Sequence, residues 1–178
     1  MGTNFCNVLY LSNGDKLDIS HKYLYYKILL TWVNKKYPNY LTPHTLSVAS
    51  NASRVYGSCL LYTCGLLHDI LEDTDCTPEL LKEKLTQFVK YIPLSSHKYD
   101  ANLAVKIIEY LTKPKNETYH SYMQRFNRAN VIFMECEPIV FNYAYDIKKE
   151  DYKDHFFRYE TLTPKLLEKY KPFVYYFL

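Results

Sequence analysis

Between residues 59 and 70 the chain is almost wholly apolar, with Cys59, Leu60, Leu61, Cys64, Leu66, Leu67 and Ile70, and at its end it abruptly carries His68, Asp69, Glu72 and Asp73. A segment that is apolar on nearly all sides predicts a helix at the centre of a domain rather than on its surface. Other helices must then surround it. The glycine count agrees: 4 glycines among 178 residues leave little freedom for positive φ, which disfavours a turn-rich sandwich or barrel. The fold class expected is mainly α, in one domain long enough to bury a core without disulfide or metal staples. A hydrophobic share of 48% and a charged share of 23% fit a globular chain, and no apolar run is long enough to suggest a membrane partner.

The remaining elements follow from punctuation. Two alternating runs, Val8-Leu9-Tyr10-Leu11 and Lys16-Leu17-Asp18-Ile19, flank Ser12-Asn13-Gly14-Asp15 and predict a short N-terminal β-hairpin within residues 1–20. Residues 21–178 are expected to form one cooperative helical unit of about seven helices. Ser20 caps a first helix with Leu24, Ile28, Leu29, Trp32 and Val33 at helical spacing up to Lys36. Thr42 caps a second, with Pro43 at its first position, where a missing N–H is harmless, and Gly57 ends it. Ser58 opens the central helix, and Thr77-Pro78-Glu79 starts another, to about Ile92. After a loop over residues 93–99, helices are expected over 101–112, 117–134, 138–147 and 163–170, with the charged stretch 148–154 as a connection.

A net charge of +3, from 22 Lys+Arg against 19 Asp+Glu, is too small and too evenly spread for a dedicated nucleic-acid surface. The five cysteines, Cys6, Cys59, Cys64, Cys76 and Cys136, form no CxxC pair and read as free thiols; with no charged-then-apolar leader, a cytoplasmic setting is expected.

The ionisable end of the central helix is where chemistry is expected. Charges withdrawn from water cost several kcal/mol unless partnered, and a bivalent metal is a natural partner. On a continuous helix His68 and Glu72 are i and i+4, as are Asp69 and Asp73, so two adjacent faces each present a pair of ligands or acid/base groups. The same residues also suit a solvated helix end before the Asp73-Thr74-Asp75 turn.

The run Leu66-Leu67-His68-Asp69-Ile70-Leu71-Glu72-Asp73-Thr74, followed by Thr77-Pro78-Glu79-Leu80-Leu81, resembles the signature of the His-Asp (HD) metal-dependent phosphohydrolases. Its nearest branch is the alarmone hydrolase domain of RelA/SpoT-type enzymes and their small single-domain relatives, bacterial or phage. His44-Thr45-Leu46-Ser47-Val48-Ala49, 24 residues before His68, is similar to that family's earlier histidine motif, and Leu111-Thr112-Lys113 with Glu117-Thr118-Tyr119-His120-Ser121-Tyr122 resembles a later segment. The resemblance covers roughly residues 22–145. It implies an HD-type helical domain in which His44, His68 and Asp69 bind a metal, usually Mn²⁺, although the donor types suit Fe²⁺ and Zn²⁺ equally. It implies that Glu72 and Asp73 activate water and transfer protons, with orientation of the histidines as their alternative role.

The family's fourth ligand is an aspartate in a Lys-Leu-Ala-Asp-x-x-x-Asn helix. Aligning Asn142 with the final asparagine puts Pro138 at the aspartate position, so the adjacent Glu137 is expected to replace it, with Glu135 and Asp146 as weaker substitutes. Lys35, Lys36, Asn142, Arg125, Tyr119 and Tyr122 are the expected substrate contacts, alongside Lys113, Lys115, Tyr143 and Tyr145. Two readings stand at this point. One is a phosphohydrolase that acts on a (p)ppGpp-like or other signalling nucleotide. The other is a degenerate HD domain that binds a nucleotide or a protein partner, or a second copy of itself, without turnover. With room for only a helix or two after residue 150, no synthetase domain is expected, in a bacterial cell or a phage-infected host.

Overall fold

The structure, a computed structural model, describes residues 8–10, 16–18, 24–56, 58–92, 99–126 and 137–158. Strands β1 (Val8–Tyr10) and β2 (Lys16–Asp18) pair antiparallel with Leu9 opposite Leu17. Eight helices follow among the described residues: α1 (Leu24–Lys36), α2 (Pro43–Tyr56), α3 (Cys59–Leu66), α4 (Ile70–Asp73), α5 (Pro78–Phe88), α6 (Ala101–Leu111), α7 (Tyr119–Gln124) and α8 (Pro138–Arg158), with a 3₁₀ turn at Val89–Tyr91. The fold is mainly α. None of these helices is long and apolar enough to cross a membrane. The hairpin turn, the Ser20 cap, Gly57, residues 93–98 and 127–136, the helix expected over 163–170, and Cys6 and Cys136 lie outside the described residues.

The apolar segment is central, as its composition demands. Every α3 residue but Tyr62 is buried, and α3 packs against α2, α6 and α8. The closest approach is at Gly65, where a Cβ would lie 3.0 Å from the Ala49 Cα and 3.2 Å from the Val48 carbonyl oxygen. Only a residue without a side chain lets α2 and α3 meet so closely. Leu29, Leu30, Val33, Leu81, Leu85, Ile107, Ile108 and Ile147 close the core around this pair. Tyrosines bury their rings while their hydroxyls find partners. Tyr25 reaches Thr63 Oγ1 at 2.7 Å and Tyr99 at 2.8 Å, and Tyr40 donates to the Leu66 carbonyl at 2.9 Å.

Helix starts agree with the caps read from sequence. The Leu46 N–H donates to the Thr42 carbonyl, and Thr42 and Thr45 form a reciprocal cap: the Thr45 N–H donates to Thr42 Oγ1 at 3.2 Å and the Thr42 N–H to Thr45 Oγ1 at 3.0 Å. Thr77 accepts from the Leu80 N–H, with Pro78 in the first turn.

Three expectations are corrected. The central helix does not run on to Asp73: it ends at Leu66, turns over residues 67–69 and resumes as the short α4. The helix expected over 117–134 begins only at Tyr119, because Thr118 is its cap and accepts from the Ser121 N–H. The charged stretch 148–154 is not a connection but the middle of α8. Lysines and glutamates are good helix formers, and the i,i+3 pairs Lys148–Asp151 and Glu150–Lys153 support the turn they span.

Candidate metal centre

His44 stands in the first turn of α2, where the Thr42 cap and Pro43 set the chain direction. His68 lies in the break after α3. Its Nδ1 is 2.7 Å from the Gly65 carbonyl oxygen, a group that can only accept, so Nδ1 carries the proton. That carbonyl would otherwise receive the Asp69 N–H in a continuing helix. Side-chain capture of it, with the Tyr40 hydroxyl on Leu66, explains why α3 stops where it does.

The wholly buried His68 Nε2 then faces inward and has no hydrogen bond of proper direction, although Asp69 Oδ2 lies 3.0 Å away and Asp151 Oδ1 3.8 Å away. The His44 ring meets it edge to face at 5.3 Å between centroids. His44 Nδ1 is 2.8 Å from Asp154 Oδ2, and its Nε2 is 3.2 Å from Asp151 Oδ1. Thus each imidazole has its Nδ1 anchored, one on a carboxylate and one on a carbonyl, and its Nε2 turned toward Asp151. His44, His68 and Asp151 each bring a donor atom to a cluster whose members lie within 4.8 Å of one another. Donors bound to one ion at about 2.1 Å lie roughly 3–3.5 Å apart, so these spacings fit a single metal ion with small adjustment. Two imidazole nitrogens and a carboxylate oxygen that converge in a buried setting are what such an ion would satisfy.

Asp151 is itself held. Lys148, one turn earlier on α8, places Nζ 2.7 Å from Asp151 Oδ2 and 5.3 Å from the centre of the Tyr122 ring. Tyr122 is buried and donates its hydroxyl to the Leu111 carbonyl.

The electrostatics match a cation site. Burial alone would lower the His68 pKa, but Asp69 and Asp151 outweigh it and raise the value to about 9. Burial lowers that of His44 too, and the hydrogen bond and charge of Asp151, with the hydrogen bond of Asp154, lift it above its ordinary value. The Asp69 carboxyl, pushed up by burial, is drawn below the usual range by the His68 imidazole. Glu72 moves the other way. Burial raises its pKa, Asp69 adds to the rise, and the Lys113 N–H, donating to Glu72 at 2.6 Å, only partly opposes them.

A cleft of about 370 Å³ opens beside the cluster, lined by Lys36, Tyr40, Thr42, His44, Asp69 and Asp73 among others. Of the residues expected from sequence, His44, His68 and Asp69 come together, Glu72 and Asp73 border them on α4, and Lys36 reaches the cleft wall. Lys35 and Asn142 are exposed and do not line that cleft. Arg125 pairs with Glu117 at 2.6 Å and lies 5.7 Å over the Tyr122 ring. Tyr119 leans on Tyr122 with ring centroids 5.9 Å apart, and Tyr122 supports Lys148 from below instead of facing the cleft. Glu137 is exposed at the start of α8 and pairs with Lys106; the carboxylate in the cluster is Asp151, fourteen residues further on.

Asp151, Asp154 and Lys148 are the residues that sequence reasoning missed. A signal was present, because Lys148-Lys149-Glu150-Asp151 sets a lysine and an aspartate one helical turn apart. Anchoring on Asn142 hid it, as did reading 148–154 as a connection. Comparison of the chain with family models, with curated proteins and with solved structures finds no match.

Proposed function

We propose that the chain is a metal-dependent phosphohydrolase that acts on a nucleotide, (p)ppGpp-like or another signalling nucleotide. The observation that carries this reading is the convergence of His44 Nε2, His68 Nε2 and Asp151 Oδ1, with both Nδ1 atoms anchored behind them. Asp69 Oδ2 stands beside the same His68 nitrogen. Two histidines, the neighbouring aspartate and a distant aspartate make the donor set that the resemblance to HD phosphohydrolases implies, with Asp151 where Glu137 had been expected. The nitrogen and oxygen donors suit Mn²⁺, Fe²⁺ or Zn²⁺. Such an ion supplies Lewis acidity toward a phosphoryl oxygen and lowers the pKa of a bound water.

The protein groups do the rest. Asp154 and the Gly65 carbonyl hold the tautomers that leave both Nε2 atoms as donors. Glu72, whose pKa is raised and whose carboxylate accepts from the Lys113 N–H, would accept a proton from attacking water and return it to the leaving group. Lys36 on the cleft wall offers a positive charge to phosphate.

The test is metal content together with turnover. Protein purified with added Mn²⁺ should hold near-stoichiometric metal and release phosphate or pyrophosphate from ppGpp or another nucleotide in a panel, whereas Asp151→Asn and His68→Ala should not. Metal-free protein after that preparation, or equal turnover by the variants, overturns the proposal.

A further inference from the structure

A cation buried against a cation-binding site is a costly neighbour. Lys148 is buried, and its charge repels any metal that Asp151 would bind. Its geometry gives it another role. Nζ lies 2.7 Å from Asp151 Oδ2, while Oδ1 faces His44 Nε2 at 3.2 Å and His68 Nε2 at 3.8 Å. The two carboxylate oxygens are therefore divided between two tasks. The lysine is steadied in turn by the face of Tyr122, whose hydroxyl is tied to the Leu111 carbonyl. A carboxylate can otherwise give one oxygen or two to the same ion.

We propose that Lys148 is a positioning residue that restricts Asp151 to one donor oxygen, so that a coordination position stays open for water or a phosphoryl oxygen. The proposal rests on the metal-centre reading above. Catalytic sites differ from closed structural ones in keeping such a position. Here the device is an ion pair one helical turn long, with both partners on α8. Loss of the lysine would let Oδ2 swing to the metal, and binding would tighten as repulsion vanished and chelation grew. Turnover would fall because the open position would be filled.

The experiment uses Mn²⁺ alone as the probe and the water-proton relaxation enhancement of the loaded protein as the readout. With His44, His68, Asp69 and Asp151 each giving one donor to a six-coordinate ion, the natural protein should keep about two exchangeable waters. Lys148→Met, with a stem of similar length, should keep about one, bind Mn²⁺ more tightly and lose kcat more than it changes KM, whereas Lys148→Arg should restore the natural water count. An unchanged count in Lys148→Met, or weaker Mn²⁺ binding by it, overturns the proposal while leaving the metal centre standing. A natural protein with one water or none overturns it too, even if the methionine variant does not fold. Failure of the natural protein to bind Mn²⁺ removes the metal centre itself, and this inference with it.

Discussion

Gly65 sits on Ala49 with no room for a side chain between them: a Cβ at Gly65 would stand 3.0 Å from the Ala49 Cα and 3.2 Å from its amide nitrogen. This contact sets the distance between α2, which carries His44 at its start, and α3, which delivers His68 just past its end. It is a packing feature with a consequence for chemistry.

Gly65→Ala should therefore be felt twice. The added methyl meets backbone, which cannot rotate away, so α2 and α3 must part by a few tenths of an ångström. Overpacking of this kind costs typically about 1–3 kcal/mol. Urea denaturation of the metal-free protein measures that loss, and titration with Mn²⁺ should show weaker binding as His44 and His68 separate. Unchanged stability and affinity would show that the contact constrains neither.

Metal binding should depend on pH. Burial works to lower the His68 pKa, yet Asp69 and Asp151 hold it at about 9, so near neutrality its Nε2 carries a proton that a metal must displace. Affinity for Mn²⁺ is expected to rise with pH up to about 9 and then level off. The metal-free fold behaves inversely. A histidine whose pKa is raised on folding stabilises fully below its unfolded value, and that stability fades as pH climbs through about 9. Calorimetric titration in buffers of different ionisation enthalpy counts the released protons, and release of none at pH 7 contradicts the assignment.

Asp154 Oδ2 accepts from His44 Nδ1 at 2.8 Å and thereby chooses which nitrogen faces the cluster. Loss of such an outer partner typically lowers metal affinity about 10- to 100-fold. Asp154→Ala should show a loss of this size, with circular dichroism unchanged. Affinity equal to that of the natural protein would mean that packing alone orients His44.

Glu137 and Asp151 make opposite predictions. Glu137→Gln removes an exposed pair with Lys106, an interaction worth about 0–1 kcal/mol in general, and should leave Mn²⁺ binding intact. Asp151→Asn removes the carboxylate shared by both histidines and should abolish tight binding. Loss of binding in Glu137→Gln alone would restore the assignment expected from sequence.

Local order was legible in the residues themselves. The apolar run 59–70, the scarcity of glycine and the Thr42-Pro43 and Thr77-Pro78 starts announce a helical protein with a buried central helix, because burial pattern and capping act over a few neighbouring residues. That His68 and Asp69 stand side by side was legible for the same reason, since they are neighbours in the chain. Three features were decided only by tertiary structure. The central helix breaks after Leu66 because the His68 ring and the Tyr40 hydroxyl take carbonyls that a continuing helix would use, and Tyr40 comes from another part of the chain. Tyr122, a residue whose type suits stacking on a base, goes into the core under Lys148. Asp151 and Asp154 approach His44 only because α8 packs across α2 and α3, bridging 110 residues between His44 and Asp154. Helix periodicity shows which residues share a face. Which distant face will meet it depends on how the whole core closes, and here that closure brings a charged stretch against His44 and His68.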